Sequence, residues 1–122
     1  MRYLLMVKSD ENLHASGPPK ELLDAIAALG VEATRTGKLV SVGGLYHSSR
    51  GASVRVRGGK LVVTDGPFSE AKEVIGGFSI FELGSLDEAK EEARKFMEVH
   101  RKHWPGWEGD CEIRPIFERN AP

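Results

Sequence analysis

Residues 64–70 read Thr64-Asp65-Gly66-Pro67-Phe68-Ser69-Glu70, and they follow the clearest strand pair in the chain. A turn at Asp65-Gly66-Pro67 is expected because these three residue types each favour turn conformations. Earlier in the chain, valines alternate with polar residues over Ala52–Arg57, which is typical of a strand. Gly58-Gly59 suits a two-residue hairpin turn, since both positions tolerate positive φ. The partner strand is therefore predicted over Lys60–Thr64.

The flanking sequence predicts two helices and four further strands. Helical spacing of apolar residues predicts a helix over Lys20–Arg35, and the capping box Ser85-Leu86-Asp87-Glu88 predicts the start of a second helix that runs to about Lys102. The remaining strands are predicted at Tyr3–Val7, Leu39–Leu45, Glu73–Leu83 with a bulge at Gly76-Gly77, and Cys111–Phe117 with Pro115 at a sheet edge or bulge. Without the hairpin, the order β-α-β-β-α-β predicts an α+β, ferredoxin-like split βαβ fold with an antiparallel sheet.

Composition limits the classes of function. The chain has 122 residues, and we expect residues 1–122 to form one domain. A net charge of −1 gives no field that attracts nucleic acid or an anionic membrane surface. No stretch approaches the roughly 20 apolar residues of a membrane span, and the N-terminal apolar run is too short for a signal peptide. Cys111 is the single cysteine and reads as a core residue, so no intrachain disulfide is possible. We predict a cytoplasmic protein without direct nucleic-acid or membrane contact.

Both faces of the predicted sheet carry apolar residues, as Phe78, Ile80 and Phe81 illustrate. Two helices cover one face of a ferredoxin-like sheet, so the other face needs a cover. A second copy of the chain is the simplest cover. We therefore predict a homodimer that packs sheet to sheet.

Asp65 and His47 are the candidates for acid–base chemistry. Asp65 lies where a strand ends, beside a rigid Pro67, and a carboxylate so placed is able to act as a general base or to orient a histidine. His47 follows the Gly-Gly exit of another strand and is able to shuttle a proton with it. The alternatives are an aspartate that accepts hydrogen bonds within its own turn and a histidine in a polar loop. His14, in the first loop, and Glu70, which is expected to be solvated, are weaker candidates.

Four other residues are candidates for binding a small-molecule ligand. Arg55 and Arg57 share one face of the hairpin, where they are able to receive an acidic group or simply form a solvated face. Phe68 and Trp104 are the aromatic candidates. Trp104 and Trp107 either cap the sheet end or the dimer seam, or wall an apolar pocket.

Metal and cofactor motifs give no positive prediction. His100 and His103 are spaced i, i+3 on the second helix, but a metal site needs a third ligand, for which Glu108, Asp110 and Cys111 are candidates by residue type only. The alternative places His100 on the core-side stripe and His103 near the helix C-terminus. The Gly76-Gly77 pair lacks the strand–helix context of a phosphate loop, and no other cofactor motif is present. We therefore expect neither a metal nor a cofactor.

A longer pattern extends from the hairpin through the Asp-Gly-Pro-Phe turn: Val56-Arg57-x-Gly-Lys60-x-x-Val63-Thr64-Asp65-Gly66-Pro67-Phe68-x-Glu70-x-Lys72-Glu73-x-x-Gly76-Gly77-Phe78. With Ser85-Leu86-Asp87-Glu88-Ala89 and the ending Glu112-Ile113-Arg114-Pro115-Ile116, it resembles the DGPF family of YCII-related proteins over nearly the whole chain. The resemblance implies a dimeric α+β barrel with a ferredoxin-like core. It also implies an association with sigma factors of the extracytoplasmic-function type, which are encoded beside or joined to some members.

In the wider YCII group, a histidine on the first helix and an aspartate converge in a cleft. The resemblance implies that Asp65 matches that aspartate, but the first helix here contains no histidine, so His47 would have to replace it from another element. We expect a small polar molecule to bind in a cleft of the homodimer, with acid–base chemistry at Asp65. The alternative is a non-catalytic regulatory or protein-interaction module linked to those sigma factors.

Overall fold

A computed structural model of the chain describes residues 1–13, 16–69 and 71–118. His14 and Glu70 lie outside the described residues. The strands are β1 (Arg2–Ser9), β2 (Leu39–Gly44), β3 (Ala52–Arg57), β4 (Lys60–Asp65), β5 (Val74–Glu82) and β6 (Gly109–Pro115). The helices are α1 (Lys20–Arg35) and α2 (Leu86–His103), and a 3₁₀ turn covers Ser48–Arg50.

Four strands form an antiparallel sheet in the order β2-β5-β1-β6. The two central strands, β5 and β1, therefore come from opposite halves of the chain, with β2 and β6 at the edges. This is the strand order of a split βαβ unit, and the α+β, ferredoxin-like fold predicted from the sequence is confirmed. Pro115 lies on the edge strand β6, as predicted for a residue that cannot donate to the ladder.

Local sequence signals explain where the elements begin and bend. At the start of α2, Ser85 Oγ accepts a hydrogen bond from the Glu88 N–H at 3.2 Å, and Glu88 Oε2 accepts one from the Gly84 N–H at 3.0 Å. Glu88 thus reaches one residue further back than a standard capping box. In the sheet, Val7 pairs with Gly77 and Lys8 pairs with Ile75, which leaves Gly76 as the extra residue of the predicted bulge.

The core lies between the helices and one face of the sheet. Leu22 of α1 is fully buried, and Tyr3, Leu5 and Phe81 of the sheet are also buried. Residues that pair directly across antiparallel strands point to the same face, so the alternate residues point to the outer face. The central apolar residues of the outer face are half-buried, and they are Leu4, Met6, Phe78 and Ile80. The homodimer that would cover this face stays a prediction.

The hairpin of β3 and β4 forms a separate two-stranded sheet. Its turn residues Gly58 and Gly59 have φ of +55° and +76°, as expected for a two-residue hairpin turn. Val54 pairs with Val63 and Val56 with Leu61, so one face of the hairpin is apolar, yet all four side chains are exposed. Within the described residues, no helix is both long and apolar enough to cross a membrane.

Candidate functional site

A cavity of about 590 Å³ lies between the helices and the core-side face of the sheet. This volume falls within the range of roughly 300–1,000 Å³ that is usual for small-molecule sites. Its apolar wall residues include Leu22, Ile26 and Leu29 of α1, Leu5 and Val7 of β1, and Phe96 of α2. The cavity is therefore large enough for a small organic molecule and suited to an apolar part of it.

Polar and aromatic wall residues gather at one end of the sheet. At Ser9, the end of β1 pairs with Val74 at the start of β5 and with Gly109 at the start of β6. The loops after β1 and β2 and the C-terminal end of α2 meet there. The wall residues at this end, called the polar end below, are Glu11, Tyr46, His47, His100, Trp104 and Trp107.

Glu11 and Ser48 form a hydrogen-bonded centre at the polar end. The Ser48 N–H donates to Glu11 Oε2 at 3.0 Å, and the Ser48 hydroxyl donates to Glu11 Oε1. Ser48 is 8% exposed, and its Oγ also accepts a hydrogen bond from the Phe68 N–H at 2.9 Å. One buried hydroxyl therefore connects the loop after β1, the 3₁₀ turn and the Asp-Gly-Pro-Phe turn.

His47 is held in a defined orientation before this 3₁₀ turn. Its Nδ1 accepts a hydrogen bond from the Ser49 N–H at 3.1 Å. A backbone N–H can only donate, so the proton of the neutral imidazole is on Nε2. Nε2 faces Glu11 Oε1 at 3.5 Å. The neutral ring thus directs an N–H towards a carboxylate on the cavity wall.

The Asp-Gly-Pro-Phe turn is docked on the 3₁₀ turn through its backbone. The Gly66 N–H donates to the Gly51 carbonyl at 2.8 Å, and an added Cβ on Gly66 would lie 1.7 Å from the Ser48 carbonyl oxygen. Only glycine permits so close an approach. Asp65 is exposed, and no described group donates a hydrogen bond to its carboxylate. Gly66, the next residue after Asp65, contacts Ser48, the next residue after His47. Asp65 itself is not among the described residues that line the cavity.

The other predicted ligand contacts lie apart from the cavity. Arg55 and Arg57 are exposed on β3, opposite Val62 and Lys60, and no described carboxylate pairs with either guanidinium. Phe68 is half-buried against the hairpin base rather than in the cavity wall. Their roles in binding stay predictions.

His100 is on the core-side stripe of α2, as the structural alternative for this residue predicted. It is 5% exposed, and its Nδ1 lies 2.8 Å from the Phe96 carbonyl oxygen. Its ring centroid is 4.7 Å from that of Phe96 and 4.6 Å from that of Trp107. Burial lowers the pKa of His100, and the hydrogen bond to the carbonyl opposes this effect only in part. The ring is therefore kept neutral at physiological pH.

Trp104 and Trp107 both line the polar end, as the pocket alternative for these residues proposed. Their ring centroids are 6.1 Å apart and the rings are nearly parallel, with an angle of 24° between their planes.

Across the described ranges, no group of three or more His, Cys, Asp or Glu side chains could hold a metal ion. Burial, with a smaller effect of Asp110, raises the pKa of the Cys111 thiol to about 11.

The structure thus brings two of the six predicted site residues, His47 and Trp104, to one cavity and leaves Asp65, Arg55, Arg57 and Phe68 outside its described wall. Sequence reasoning missed Glu11 and Ser48. Glu11 stands in a polar loop and Ser48 in a serine pair, so neither carries a local signal. Their contact joins residues 37 positions apart, which only the tertiary fold brings together.

Comparison with known proteins identifies the family of the chain. The family model of the YCII-related domain matches residues 1–118. An uncharacterised protein of Rhizobium meliloti (strain 1021) is 29% identical over 119 residues, which cover 95% of this chain and 92% of that protein. Because the family model spans nearly the whole sequence, the chain belongs to the family of YCII-related domain proteins.

Proposed function

We propose that this protein binds a small amphipathic molecule in the cavity between its helices and sheet. The observation that carries the proposal is the combination of apolar walls with a polar end in a single cavity of about 590 Å³. Pockets of this kind bind the apolar part of a ligand by burial and orient it with a few polar groups. The sequence pointed to a polar ligand near Asp65, whereas the cavity favours a ligand with a substantial apolar part near His47.

The Glu11–His47 pair supports acid–base chemistry on such a ligand. A carboxylate that faces an imidazole N–H orients the ring, and the pair is able to hold or move a proton at Nε2 or at Glu11 Oε1. Asp65 is proposed as a second acid–base group, because the docked turn holds it close to the 3₁₀ turn that His47 precedes. Its exposed carboxylate would act on the part of a ligand outside the cavity.

Binding is tested with N-phenyl-1-naphthylamine, a neutral apolar dye whose fluorescence rises on burial. Saturable binding is expected for the wild-type protein. Ile26→Phe adds volume inside the cavity and should weaken binding about tenfold or more while the urea midpoint stays nearly constant, since the cavity has room for the added atoms. Val31→Phe on the exposed side of α1 is the matched control and should bind like the wild type. Absence of saturable binding up to the solubility limit of the dye contradicts the proposal.

Catalysis is tested by incubating the protein with a metabolite extract and following the mixture by mass spectrometry. His47→Gln and Asp65→Asn should each reduce any turnover, whereas Arg94→Gln, on the exposed side of α2, should not. If the wild-type protein leaves every metabolite unchanged, the acid–base part of the proposal is wrong and binding alone remains.

We also propose that the protein is a homodimer in which the outer faces of two sheets pack together. The half-buried residues Leu4, Met6, Phe78 and Ile80 support this, because burying them removes apolar surface from water. Met6→Glu would place a charge in that interface. Sedimentation at micromolar concentration should show a dimer for the wild type and for Val31→Glu, and a monomer for Met6→Glu. A monomeric wild type at that concentration contradicts the proposal.

The hairpin favours a second candidate function, a non-catalytic protein-interaction module. Val56 is 72% exposed and Leu61 74% exposed, although an isolated two-stranded hairpin is only marginally stable in water. The resemblance to the DGPF family implies a sigma factor as the partner. Val56→Lys should abolish the capture of a partner protein from cells, whereas Arg55→Lys on the opposite face of the hairpin should leave that capture unchanged. A pull-down that recovers no partner, together with turnover of a metabolite, would exclude this function.

A further inference from the structure

Among the described residues, only one ring nitrogen of His100 has a hydrogen-bond partner, although the residue is only 5% exposed. A carbonyl oxygen can only accept, so Nδ1 donates to Phe96 and carries the proton of the neutral ring. Nε2 is then a bare acceptor. No described group donates to it, which is unusual because buried polar atoms are nearly always paired. A buried acceptor that no described residue pairs is able to accept a hydrogen bond from a bound ligand.

The ring of His100 lies on the cavity wall, so a ligand is able to supply that donor. Nδ1 points back along α2 to the carbonyl of the preceding turn, which leaves the Nε2 side of the ring for the cavity. Burial keeps the pKa of His100 below its ordinary value, so the ring stays an acceptor at neutral pH. The other described titratable wall residues near this end are Tyr46, Glu11, His47 and Cys111. Glu11 and His47 face each other, and the raised pKa of Cys111 keeps it a thiol.

Aromatic rings lie close to His100. The ring centroids of Phe96 and Trp107 are 4.7 and 4.6 Å from that of His100, and the centroid of Trp104 is 6.1 Å from that of Trp107. Aromatic walls favour flat ring systems, which stack face to face or edge to face. A planar ligand that carries an O–H or N–H group matches both the walls and the unpaired nitrogen.

We propose that the ligand of this cavity is a planar aromatic molecule of the phenol type, whose O–H or N–H group donates a hydrogen bond to His100 Nε2. This inference rests on the proposed function and deepens it. The apolar ring occupies the cavity beside Trp104 and Trp107, and the donor reaches the buried acceptor. His100 thereby selects ligands with a hydrogen-bond donor over equally apolar ligands without one.

The test compares p-cresol with 4-methylanisole, in which a methyl group replaces the donor proton. Binding of each is measured by tryptophan fluorescence or calorimetry in the wild type, in His100→Phe and in His103→Phe. His100→Phe keeps an aromatic ring but removes the acceptor. For each variant we compare the ratio of the p-cresol affinity to the 4-methylanisole affinity. This ratio should be about three to ten times larger in the wild type and in His103→Phe than in His100→Phe.

The outcomes separate this inference from the proposed function. If both probes bind and their affinity ratio is the same in the wild type and in His100→Phe, the role of His100 is wrong while the cavity proposal stands. If neither probe binds up to its solubility limit, both are wrong. Should His100→Phe not fold, the ¹⁵N shift of Nε2 in the wild type gives the same answer. It should move upfield with p-cresol and not with 4-methylanisole, and an equal response to both contradicts the hydrogen bond.

Discussion

Gly66→Ala adds one methyl group at the closest backbone approach in the docked turn. A Cβ at this position lies 1.7 Å from the Ser48 carbonyl oxygen and 2.6 Å from its carbon. That carbonyl is part of the backbone and already accepts a hydrogen bond from the Gly51 N–H at 2.9 Å, so it is not free to turn aside. The turn itself must retreat until the separation has doubled to 3.4 Å, where ordinary contact begins.

That retreat breaks the two hydrogen bonds that dock the turn. They are the Gly66 N–H to the Gly51 carbonyl at 2.8 Å and the Phe68 N–H to Ser48 Oγ at 2.9 Å. Each hydrogen bond contributes about 0.5–1.5 kcal/mol, and the partly buried groups lose their partners as well. We expect Gly66→Ala to lower the free energy of unfolding by about 2–4 kcal/mol. The loss in free energy of unfolding cannot exceed the free energy of undocking the turn, because the variant is able to fold with the turn undocked.

The measurement is urea denaturation followed by far-ultraviolet circular dichroism. Gly51→Ala is a matched control in the same turn, because its Cβ would lie 3.5 Å from the same Ser48 oxygen and its φ of −117° suits alanine. It should change stability by less than about 0.5 kcal/mol. Hydrogen exchange at the Phe68 amide should also accelerate in Gly66→Ala alone. If the two variants unfold at the same urea concentration, the close approach does not hold the turn in place and the reasoning is refuted.

Three further predictions concern buried groups. Ser48→Ala removes a hydroxyl that both donates and accepts a hydrogen bond, and it should lower the free energy of unfolding in urea by about 1–3 kcal/mol. Ser49→Ala at the exposed neighbour should lower it by less than about 0.5 kcal/mol. Equal effects of the two substitutions would contradict the buried hydrogen-bond network. Burial lowers the pKa of His100 from the ordinary value of 6.5. Below pH 6.5 the unfolded chain therefore binds a proton at this residue that the folded chain does not bind. The free energy of unfolding should fall as the pH drops from 6.5 to the pKa of His100 in the folded chain. Urea midpoints at about pH 7.5 and about pH 5 should differ less for His100→Phe than for the wild type, and an unchanged pH dependence would show that His100 is not the cause. With a pKa raised to about 11 from 9.0, Cys111 should react with Ellman's reagent at pH 8 about a hundredfold more slowly than free cysteine, and a rate like that of the denatured chain would contradict its burial.

Much of the fold could be predicted because its signals are local. The bounds of α1 follow from apolar spacing along one segment, and the Gly58-Gly59 turn follows from the conformational freedom of two adjacent residues. Alternation marked Ala52–Arg57 as a strand. The order of these elements then left few ways to arrange a sheet, since split βαβ connections prefer one topology.

The candidate site was less predictable because its contacts join distant parts of the chain. His47 and Trp104 were identified as residue types at element ends, where functional groups are common. Sequence could not show that both line one cavity, nor that Asp65 lies outside its described wall, because the position of a side chain depends on how helices and sheet pack. The buried acceptor of His100 depends likewise on tertiary packing against Trp107.

The sequence by itself determined the secondary elements, their order and the family, because periodicity, turn residues and caps act over a few positions. Only the tertiary structure decided what the Asp-Gly-Pro-Phe turn does mechanically. Gly66 packs on the Ser48 carbonyl and Phe68 donates to the Ser48 hydroxyl across 20 positions of sequence. Contacts over such separations form when folding brings strand ends together. The local sequence around the contacting residues therefore does not predict these contacts.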